Sequence, residues 1–420
     1  MIDILLSNVV LDGAVCDVAI ENGLFSSIAG KITASAAKVI DCKGRYAITP
    51  AFYNTHTHHA MTLLRGYADD LELFDWLNNH IWPAEALLTE EDVYAGARLA
   101  ILEMIKSGTV FFNDSYWHPR ATAKAAVEMG VKAEIGLLYL SIADGSTLKN
   151  EQNEALLDMA DELPARVRIS HSPHAIYTVS TERLRRAAED AASDGRRIHI
   201  HAAETSKEFE DCMKEHNATP IAYLNLLGVL TPKTILAHCV HLTDDDRRII
   251  AETGAVIAHN PVSNQKLCSG IFDWKRASEA GCCITIGTDG CSSNNNLSMF
   301  DEMKCAALSA KVSSMDPKCG KAEDILRAAT VTAANAFGFK SGVISEGYEA
   351  DALLIDLERA DMVGDYNLIS NLVYSASGDA VDSVICGGKL LMEHRIVPGE
   401  AEIIASAREV CRKISRSVKQ

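Results

Sequence analysis

The chain has 420 residues, of which 48% are hydrophobic and 23% are charged, so it can bury a large core and is not expected to be disordered. Its formal charge of −17 at pH 7 disfavours nucleic acid as a partner, because such binding depends on Lys and Arg displacing counterions from phosphates. Twelve cysteines without a C-x-x-C pair, no basic signal segment at the start, and no apolar run of membrane-spanning length predict a cytoplasmic protein without membrane association.

Two segments at the ends of the chain contain apolar runs separated by turn residues. The clearest runs are residues 4–11 and 17–23 in the first segment, and residues 352–356 and 381–389 in the second. Such runs predict strands. Because each segment is too small for a core of its own, we predict that residues 1–48 and 346–420 share one small β-sandwich. A helix over residues 400–418 closes the chain, and both segments are otherwise predicted to contain strands only.

The middle of the chain, residues 49–345, repeats one unit: an amphipathic helical stretch, a glycine at its end, and a short β-branched or apolar run. Three further runs, residues 46–54, 166–171 and 233–238, lack this glycine. The predicted helix starts support this repeat, since residues 89–92 have a capping-box pattern and Ser180 precedes another helical stretch. The predicted strands cover residues 46–54, 108–114, 130–138, 166–171, 195–201, 233–238, 254–259 and 281–289. Eight strands alternating with helices predict a parallel (β/α)8 TIM-like barrel, whose active site lies at the C-terminal ends of its strands.

Five candidate metal ligands fall where these strands end. His56 and His58 follow the first strand at positions i and i+2, so both imidazoles project from one face. His201, His238 and Asp289 end the fifth, sixth and eighth strands. Imidazoles with one carboxylate suit Zn²⁺ or Fe²⁺, and a position left for water makes such a site catalytic. Each histidine taken singly is also compatible with a structural role, but the coincidence of all five residues with strand ends favours one metal site.

With these residues placed, the sequence resembles the amidohydrolase superfamily, specifically its branch of cyclic amidine deaminases and chlorohydrolases. The resemblance covers nearly the whole length, and its general motifs are Ala47-Ile-Thr-Pro50, His201-Ala-Ala-Glu204, and residues 237–242, 258–264 and 287–290. More specific motifs, which are similar to those of the 5-methylthioadenosine/S-adenosylhomocysteine deaminases, are residues 61–66, 81–85, 173–178, 293–297 and 299–303. The resemblance therefore implies a metal-dependent hydrolase that acts on C–N bonds in cyclic amidines.

The resemblance also implies the ligand set. The implied metal ligands are His56, His58, His201 and Asp289. His199 shares a strand face with His201, and the family pattern, in which the ligand stands three residues before the glutamate, selects His201. The fourth strand ends in residues 169–174, which contain no lysine to carry a carbamate bridge between two metals. We therefore predict one divalent metal per chain, with Zn²⁺ favoured and Fe²⁺ as the alternative.

The implied reaction is hydrolytic deamination of an adenine nucleoside to the inosine analogue and ammonia, through attack of metal-activated water at C6. Asp289 can take a proton from that water, and His238 can hold the resulting hydroxide in line with C6. Attack places electrons on N1, so a proton must arrive there. Glu204, three residues beyond a ligand, is the predicted donor, and the same carboxyl can later protonate the departing ammonia.

Three further residues are implied as substrate contacts. Glu85 would accept hydrogen bonds from the ribose 2′ and 3′ hydroxyls, His174 would face the nucleoside, and Ser293 would reach the N7 side of the purine. Surface charge for Glu85 and core packing for His174 are the alternatives. Residues 135–148 contain no Arg or Lys to pair with the carboxylate of S-adenosylhomocysteine. We therefore expect 5′-methylthioadenosine, adenosine or 5′-deoxyadenosine to be preferred as substrate.

Two other functions are compatible with the sequence. A hydrolase of the same branch acting on 8-oxoguanine, a pterin or an s-triazine would have the same fold and metal site, so only pocket residues discriminate it. The Glu85 and Ser293 segments favour a nucleoside. A non-catalytic scaffold would be expected to lack metal ligands, and none is missing here. A homo-oligomer would be typical of enzymes of this kind, although no segment identifies a contact surface.

Overall fold

The structure is a computed structural model that describes residues 1–141, 146–364 and 366–417. Within these residues the chain forms sixteen strands in two sheets. The strands are β1 (Ile2–Leu11), β2 (Ala14–Glu21), β3 (Leu24–Ala29), β4 (Ala36–Asp41), β5 (Tyr46–Pro50), β6 (Phe52–Thr57), β7 (Thr109–Asp114), β8 (Lys132–Tyr139), β9 (Val167–Pro173), β10 (Ile198–Ala202), β11 (Thr234–His238), β12 (Val256–His259), β13 (Cys283–Ile286), β14 (Ala352–Asp356), β15 (Val381–Cys386) and β16 (Lys389–Met392).

Helices follow the strands of the second sheet, β6 to β13, and one helix closes the chain. The α-helices are α1 (Leu73–Trp76), α2 (Trp82–Glu85), α3 (Glu90–Lys106), α4 (Pro119–Met129), α5 (Ser146–Leu157), α6 (Thr181–Asp194), α7 (Ser206–His216), α8 (Pro220–Leu226), α9 (Asp244–Thr253), α10 (Pro261–Lys266), α11 (Trp274–Glu279), α12 (Met299–Ser314), α13 (Ala322–Ala329), α14 (Val331–Ala336), α15 (Leu368–Tyr374) and α16 (Glu400–Ser417). A π-helical turn, Leu77–Ile81, joins α1 to α2. Among the described helices, none combines the length and apolar character needed to span a lipid bilayer.

The sheet of β6 to β13 is the predicted barrel. Strands β6 to β13 lie side by side in chain order, and every pairing between them is parallel. Where β13 meets β6, the backbone N–H of Asp289 donates to the carbonyl of His56 at 3.0 Å. A Cβ at Gly287 would lie 2.7 Å from the backbone nitrogen of His56, so glycine is needed for this close approach. The prediction of a (β/α)8 barrel is confirmed.

Local signals in the sequence explain where the barrel helices begin and end. Thr89 and Asp92 form the predicted capping box of α3, and the Ser180 hydroxyl caps α6. Gly130, Gly195 and Gly254 end α4, α6 and α9 at φ of +79°, +72° and +72°, which is the left-handed region that glycine adopts without a steric penalty. Each of these helices is followed by a strand of the barrel, as the repeat predicts.

The predicted first strand, residues 46–54, is wrong as a single element. It is divided at Ala51 into β5, which belongs to the sheet built by the terminal segments (the terminal sheet), and β6, which belongs to the barrel. The backbone N–H of Ala51 donates to the carbonyl of Asp351, just before β14 of the terminal sheet, and that of Phe52 donates to the carbonyl of Gly108, just before β7 of the barrel. Both strands are largely buried, so the apolar run is continuous. The sequence pattern therefore does not show where the chain passes from one sheet to the other.

The terminal segments form one mixed sheet with the order β16-β15-β14-β5-β1-β2-β3, and β4 pairs with β1. Side chains from both ends of the chain share its core, among them Val9, Phe25, Leu354 and Ile385. This confirms that the two end segments combine into one unit beside the barrel, while the domain bounds 1–48 with 346–420 and 49–345 stay predictions. The expectation of strands alone is wrong for the second segment, because α15 lies between β14 and β15. That helix spans only seven residues, too few to show a helical period clearly. The predicted final helix is present as α16.

Candidate metal and catalytic site

The five side chains predicted at strand ends meet at the C-terminal end of the barrel. The Nε2 atoms of His56 and His58 each lie 3.3 Å from Oδ1 of Asp289. The Nε2 atoms of His58 and His201 are 3.1 Å apart. Ligand atoms of His56, His201 and His238 lie within 4.8 Å of one another, as do those of His56, His58 and Asp289. All five residues are buried. The geometry is therefore that of a compact N/O ligand set for one cation.

The backbone orients two of these imidazoles. Nδ1 of His58 lies 2.6 Å from the carbonyl of Ser115, and Nδ1 of His201 lies 2.7 Å from the carbonyl of His174. A carbonyl oxygen only accepts, so Nδ1 carries the proton in both rings. In a neutral ring the Nε2 lone pair then faces the shared centre, which is the tautomer that a metal ligand needs.

His199 lies behind His56 instead of at the centre. Its Nε2 is 2.7 Å from Nδ1 of His56, so the two rings share a hydrogen bond. Burial lowers the pKa of His199 well below its usual value, and the ring is neutral. Of the two histidines on this strand face, His201 is the one that lies among the ligand atoms. Nε2 of His56 is buried and has no hydrogen-bond partner among the described residues, an arrangement that a bound cation would satisfy.

The two oxygens of Asp289 have different surroundings. Oδ1 faces the histidines and accepts from the N–H of Gly290 at 2.8 Å. Oδ2 accepts from the hydroxyls of Ser263 at 2.6 Å and Ser293 at 3.0 Å. Burial alone would raise the pKa of Asp289, but the histidines around it, His56 first, lower that pKa well below its usual range. Asp289 is therefore an ionised carboxylate held in a fixed orientation.

Glu204 and His238 face each other beside the ligand set. Oε2 of Glu204 lies 3.9 Å from Nε2 of His238, and its Oε1 accepts from the Ser269 hydroxyl at 3.2 Å. Burial raises the pKa of Glu204, so this carboxyl holds a proton at higher pH than an exposed glutamate would. Burial lowers the pKa of His238, but the carboxylates of Glu204 and Asp289 outweigh that effect and raise it. Nδ1 of His238 is fixed 2.8 Å from Oδ1 of Asn264.

These groups line a cavity that encloses about 660 Å³ free of protein atoms, part of it open to solvent. The helical run from α1 to α2 forms one wall, and Glu85 at its end is buried. Oε2 of Glu85 accepts from Nε1 of Trp117 at 2.9 Å. The ring of His174 lies 4.7 Å, centroid to centroid, from that of His201. Glu85, His174 and Ser293 all line this cavity, so the structure brings every predicted site residue together.

Several residues of the site were not singled out from the sequence. Tyr116 and Trp117 line the cavity and lie just after β7. A search for functional side chains just after each barrel strand, which identified the other candidates, could have found them. Ser263 and Asn264 lie within a family motif, but no pattern shows that they hold Asp289 and His238. Trp82 packs against an apolar cluster formed by its neighbours and also reaches the cavity.

Comparison with known proteins agrees with this geometry. A model of the amidohydrolase family matches residues 47–391. The chain belongs to the amidohydrolase family. This amidohydrolase is 44% identical to a 5-methylthioadenosine/S-adenosylhomocysteine deaminase of Archaeoglobus fulgidus, with 95% of each chain covered. It is 41% identical to a 5'-deoxyadenosine deaminase of Methanococcoides burtonii, with 97% of each covered. A zinc-bound crystal structure of an adenosine deaminase from Xanthomonas campestris superposes with a TM-score of 0.92 at 32% identity, covering 99% of both chains. The predicted family, fold class and hydrolase class are confirmed.

Proposed function

We propose that this amidohydrolase deaminates adenine nucleosides that have an uncharged 5′ end, giving the inosine analogue and ammonia. The observation that carries the proposal is the placement of buried Glu204 beside the His/Asp ligand set, under a cavity whose wall contains Glu85. The names of relatives at 41–44% identity support an adenine nucleoside as substrate, although the name of the Archaeoglobus fulgidus relative includes S-adenosylhomocysteine, so the preference for an uncharged 5′ end rests on the cavity. A role in purine salvage, a cytoplasmic location and a homo-oligomeric state stay predictions.

The donor set supports a single divalent metal. Its proposed ligands are His56, His58, His201 and Asp289. Nitrogen and carboxylate donors suit Zn²⁺, which the Xanthomonas campestris deaminase binds, with Fe²⁺ as the alternative. When bound, such a cation lowers the pKa of a water molecule that it holds towards about 7.

Each side chain around that site has a separate role in accepting a proton, orienting the water or donating a proton. Ionised Asp289 accepts a proton from the attacking water. His238, fixed through Nδ1 by Asn264, directs Nε2 at the water oxygen and orients it towards C6. Glu204 delivers a proton to N1, because burial keeps its carboxyl protonated at higher pH than usual. The Glu204 carboxylate then takes up the proton that the new C6 hydroxyl loses and passes it to the amino group, which leaves as ammonia. The proton held by Asp289 finally restores the Glu204 carboxyl.

Glu85 is proposed to accept hydrogen bonds from the ribose 2′ and 3′ hydroxyls, with Trp117 orienting its carboxylate. We expect Glu85→Gln to raise KM for adenosine by about 10- to 100-fold, because hydrogen bonds to a charged group contribute about 1.5–3 kcal/mol. Steady-state kinetics on adenosine and 2′,3′-dideoxyadenosine provide the measurement. The difference between variant and wild type should vanish on the dideoxy substrate. Glu91→Gln, at an exposed position of α3, is the matched control.

The cavity favours an uncharged 5′ end. Its described lining contains the carboxylates of Glu85, Glu204 and Asp289 but no Lys or Arg, and Leu138 and Leu140 line it at the end of β8 and just after that strand. Part of the stretch predicted to exclude S-adenosylhomocysteine, residues 142–145, lies outside the described residues. A substrate carboxylate or phosphate would lose water here without gaining a cationic partner among those side chains.

A substrate panel tests both the function and this preference. We expect kcat/KM for 5′-deoxyadenosine and 5′-methylthioadenosine to exceed that for S-adenosylhomocysteine by about tenfold or more, since 1.4 kcal/mol corresponds to a factor of ten. Adenosine 5′-monophosphate should be weaker still. Turnover is followed by ultraviolet absorbance and ammonia release. S-Adenosylhomocysteine turned over as well as the others would overturn the preference.

The same panel separates the alternative functions. It includes 8-oxoguanine, pterins and s-triazines, on which we expect no turnover. Activity on one of these and not on nucleosides would assign this amidohydrolase to another heterocycle. Metal-loaded protein without activity on any compound would favour a scaffold.

A further inference from the structure

Glu208, in the first turn of α7, is a buried carboxylate that the reaction above does not use. Its Oε1 accepts from the backbone N–H of Ala203 at 3.0 Å, and its Oε2 accepts from that of Glu204 at 2.7 Å. Both oxygens are therefore committed to the loop that leads from the ligand His201 to Glu204.

The cap of α7 differs from an ordinary capping box. In such a box the third helical residue accepts from the N–H of the capping residue, as Asp246 does with Thr243 at the start of α9. In α7 the cap is Thr205, whose hydroxyl accepts from the N–H of Glu208 at 3.1 Å. The Glu208 carboxylate instead reaches past Thr205 to the two residues before it. Capping alone does not require that longer reach.

The loop that Glu208 holds has an unfavourable backbone conformation. Ala203 has a φ of +52°, which is the left-handed region that alanine rarely adopts. Two hydrogen bonds to a carboxylate stabilise that conformation. The carboxyl end of the Glu204 side chain accepts a hydrogen bond from the Ser269 hydroxyl. Glu204 is thus fixed at both backbone and carboxyl, with Oε2 left facing His238.

We propose that Glu208 is a positioning residue for proton transfer by Glu204, a role beyond capping α7. The inference rests on the proposed function, in which Glu204 carries the proton. An amide in place of the carboxylate would turn an N–H donor towards one of the two backbone N–H groups. The loop would then shift, and a misplacement of about 1 Å can cost about 100-fold in rate. Substrate binding through other residues would be retained.

The test compares Glu208→Gln with Asp246→Asn, which makes the same carboxylate-to-amide change in the ordinary capping box of α9. We expect Glu208→Gln to lower kcat by about 10- to 100-fold, with KM within about twofold and unchanged metal content. The solvent deuterium isotope effect on kcat should rise, because proton transfer becomes more rate-limiting. Both variants should lower the melting temperature by a similar amount, but Asp246→Asn should leave kcat and the isotope effect unchanged.

A second variant provides a rescue. Glycine adopts a φ of +52° without a steric penalty, so Ala203→Gly in the Glu208→Gln protein should recover part of kcat. If Glu208→Gln does not fold, Ala203→Gly is compared with Ala203→Gly/Glu208→Gln instead. Equal kcat values in either comparison, with active wild-type enzyme, overturn the positioning role. A wild-type protein inactive on every adenine nucleoside would overturn the proposed function itself.

Discussion

Removal of the metal is expected to abolish deamination, with a loss of about 1,000-fold or more, and one equivalent of Zn²⁺ should restore it. The reason is that water at neutral pH is a poor nucleophile unless a bound cation lowers its pKa. His201→Ala should have the same effect, because the His201 ring lies among the ligand atoms and its Nδ1 is tied to a backbone carbonyl. Elemental analysis and kcat of the chelated, reconstituted and variant proteins provide the measurement.

His394→Ala is the matched control for this prediction. His394 lies just after β16 in the terminal sheet, and its side chain is 62% exposed. Both metal content and kcat should stay at the wild-type level. Full activity of protein shown by elemental analysis to be free of metal would refute the assignment of the ligand set.

Glu204→Gln is expected to lower kcat by about 1,000-fold, within the range typical of a lost general acid–base group, and to leave KM and metal content nearly unchanged. Glutamine retains the size and hydrogen bonding of the side chain but cannot carry the proton to N1. Glu204 lies 3.9 Å from His238 and outside the ligand clusters, so its loss should not release the metal.

The control for this change is Glu210→Gln, an exposed position on the neighbouring helix α7. Its kcat should match that of the wild type. A kcat for Glu204→Gln within about threefold of wild type would assign the proton donor elsewhere. Loss of metal from the same variant would indicate a structural role instead.

Five candidate ligand positions were predictable because strand direction and strand ends are visible in the sequence, and the family resemblance then selected four of them as metal ligands. A short apolar run, preceded in five of the eight cases by a glycine at the end of a helix, predicts where a barrel strand lies, so the polar residue that follows it marks the active-site end. His56, His201 and Asp289 were found in this way, although they are distant in the chain. Parallel pairing in chain order then brings them together without further information.

Hydrogen-bond partners beyond the ligands were not predictable in the same way. His199 and His201 occupy equivalent positions on one strand face; the family pattern selected His201, but only the structure shows that His199 forms a hydrogen bond to His56. The Thr205-x-x-Glu208 pattern is that of a capping box and does not reveal that its carboxylate extends to Ala203. Such contacts depend on the path of a loop, which hydrophobic periodicity does not encode.

The transition at Ala51 has a consequence for the integrity of the enzyme. Strand β5 hydrogen-bonds to β1 and β14, and one residue later the chain becomes the strand that leads to His56 and His58. A fragment trimmed to the barrel would leave β5 with two unsatisfied edges immediately upstream of His56 and His58. The terminal sheet therefore anchors the part of the chain that carries these two histidines, and is not a detachable appendage.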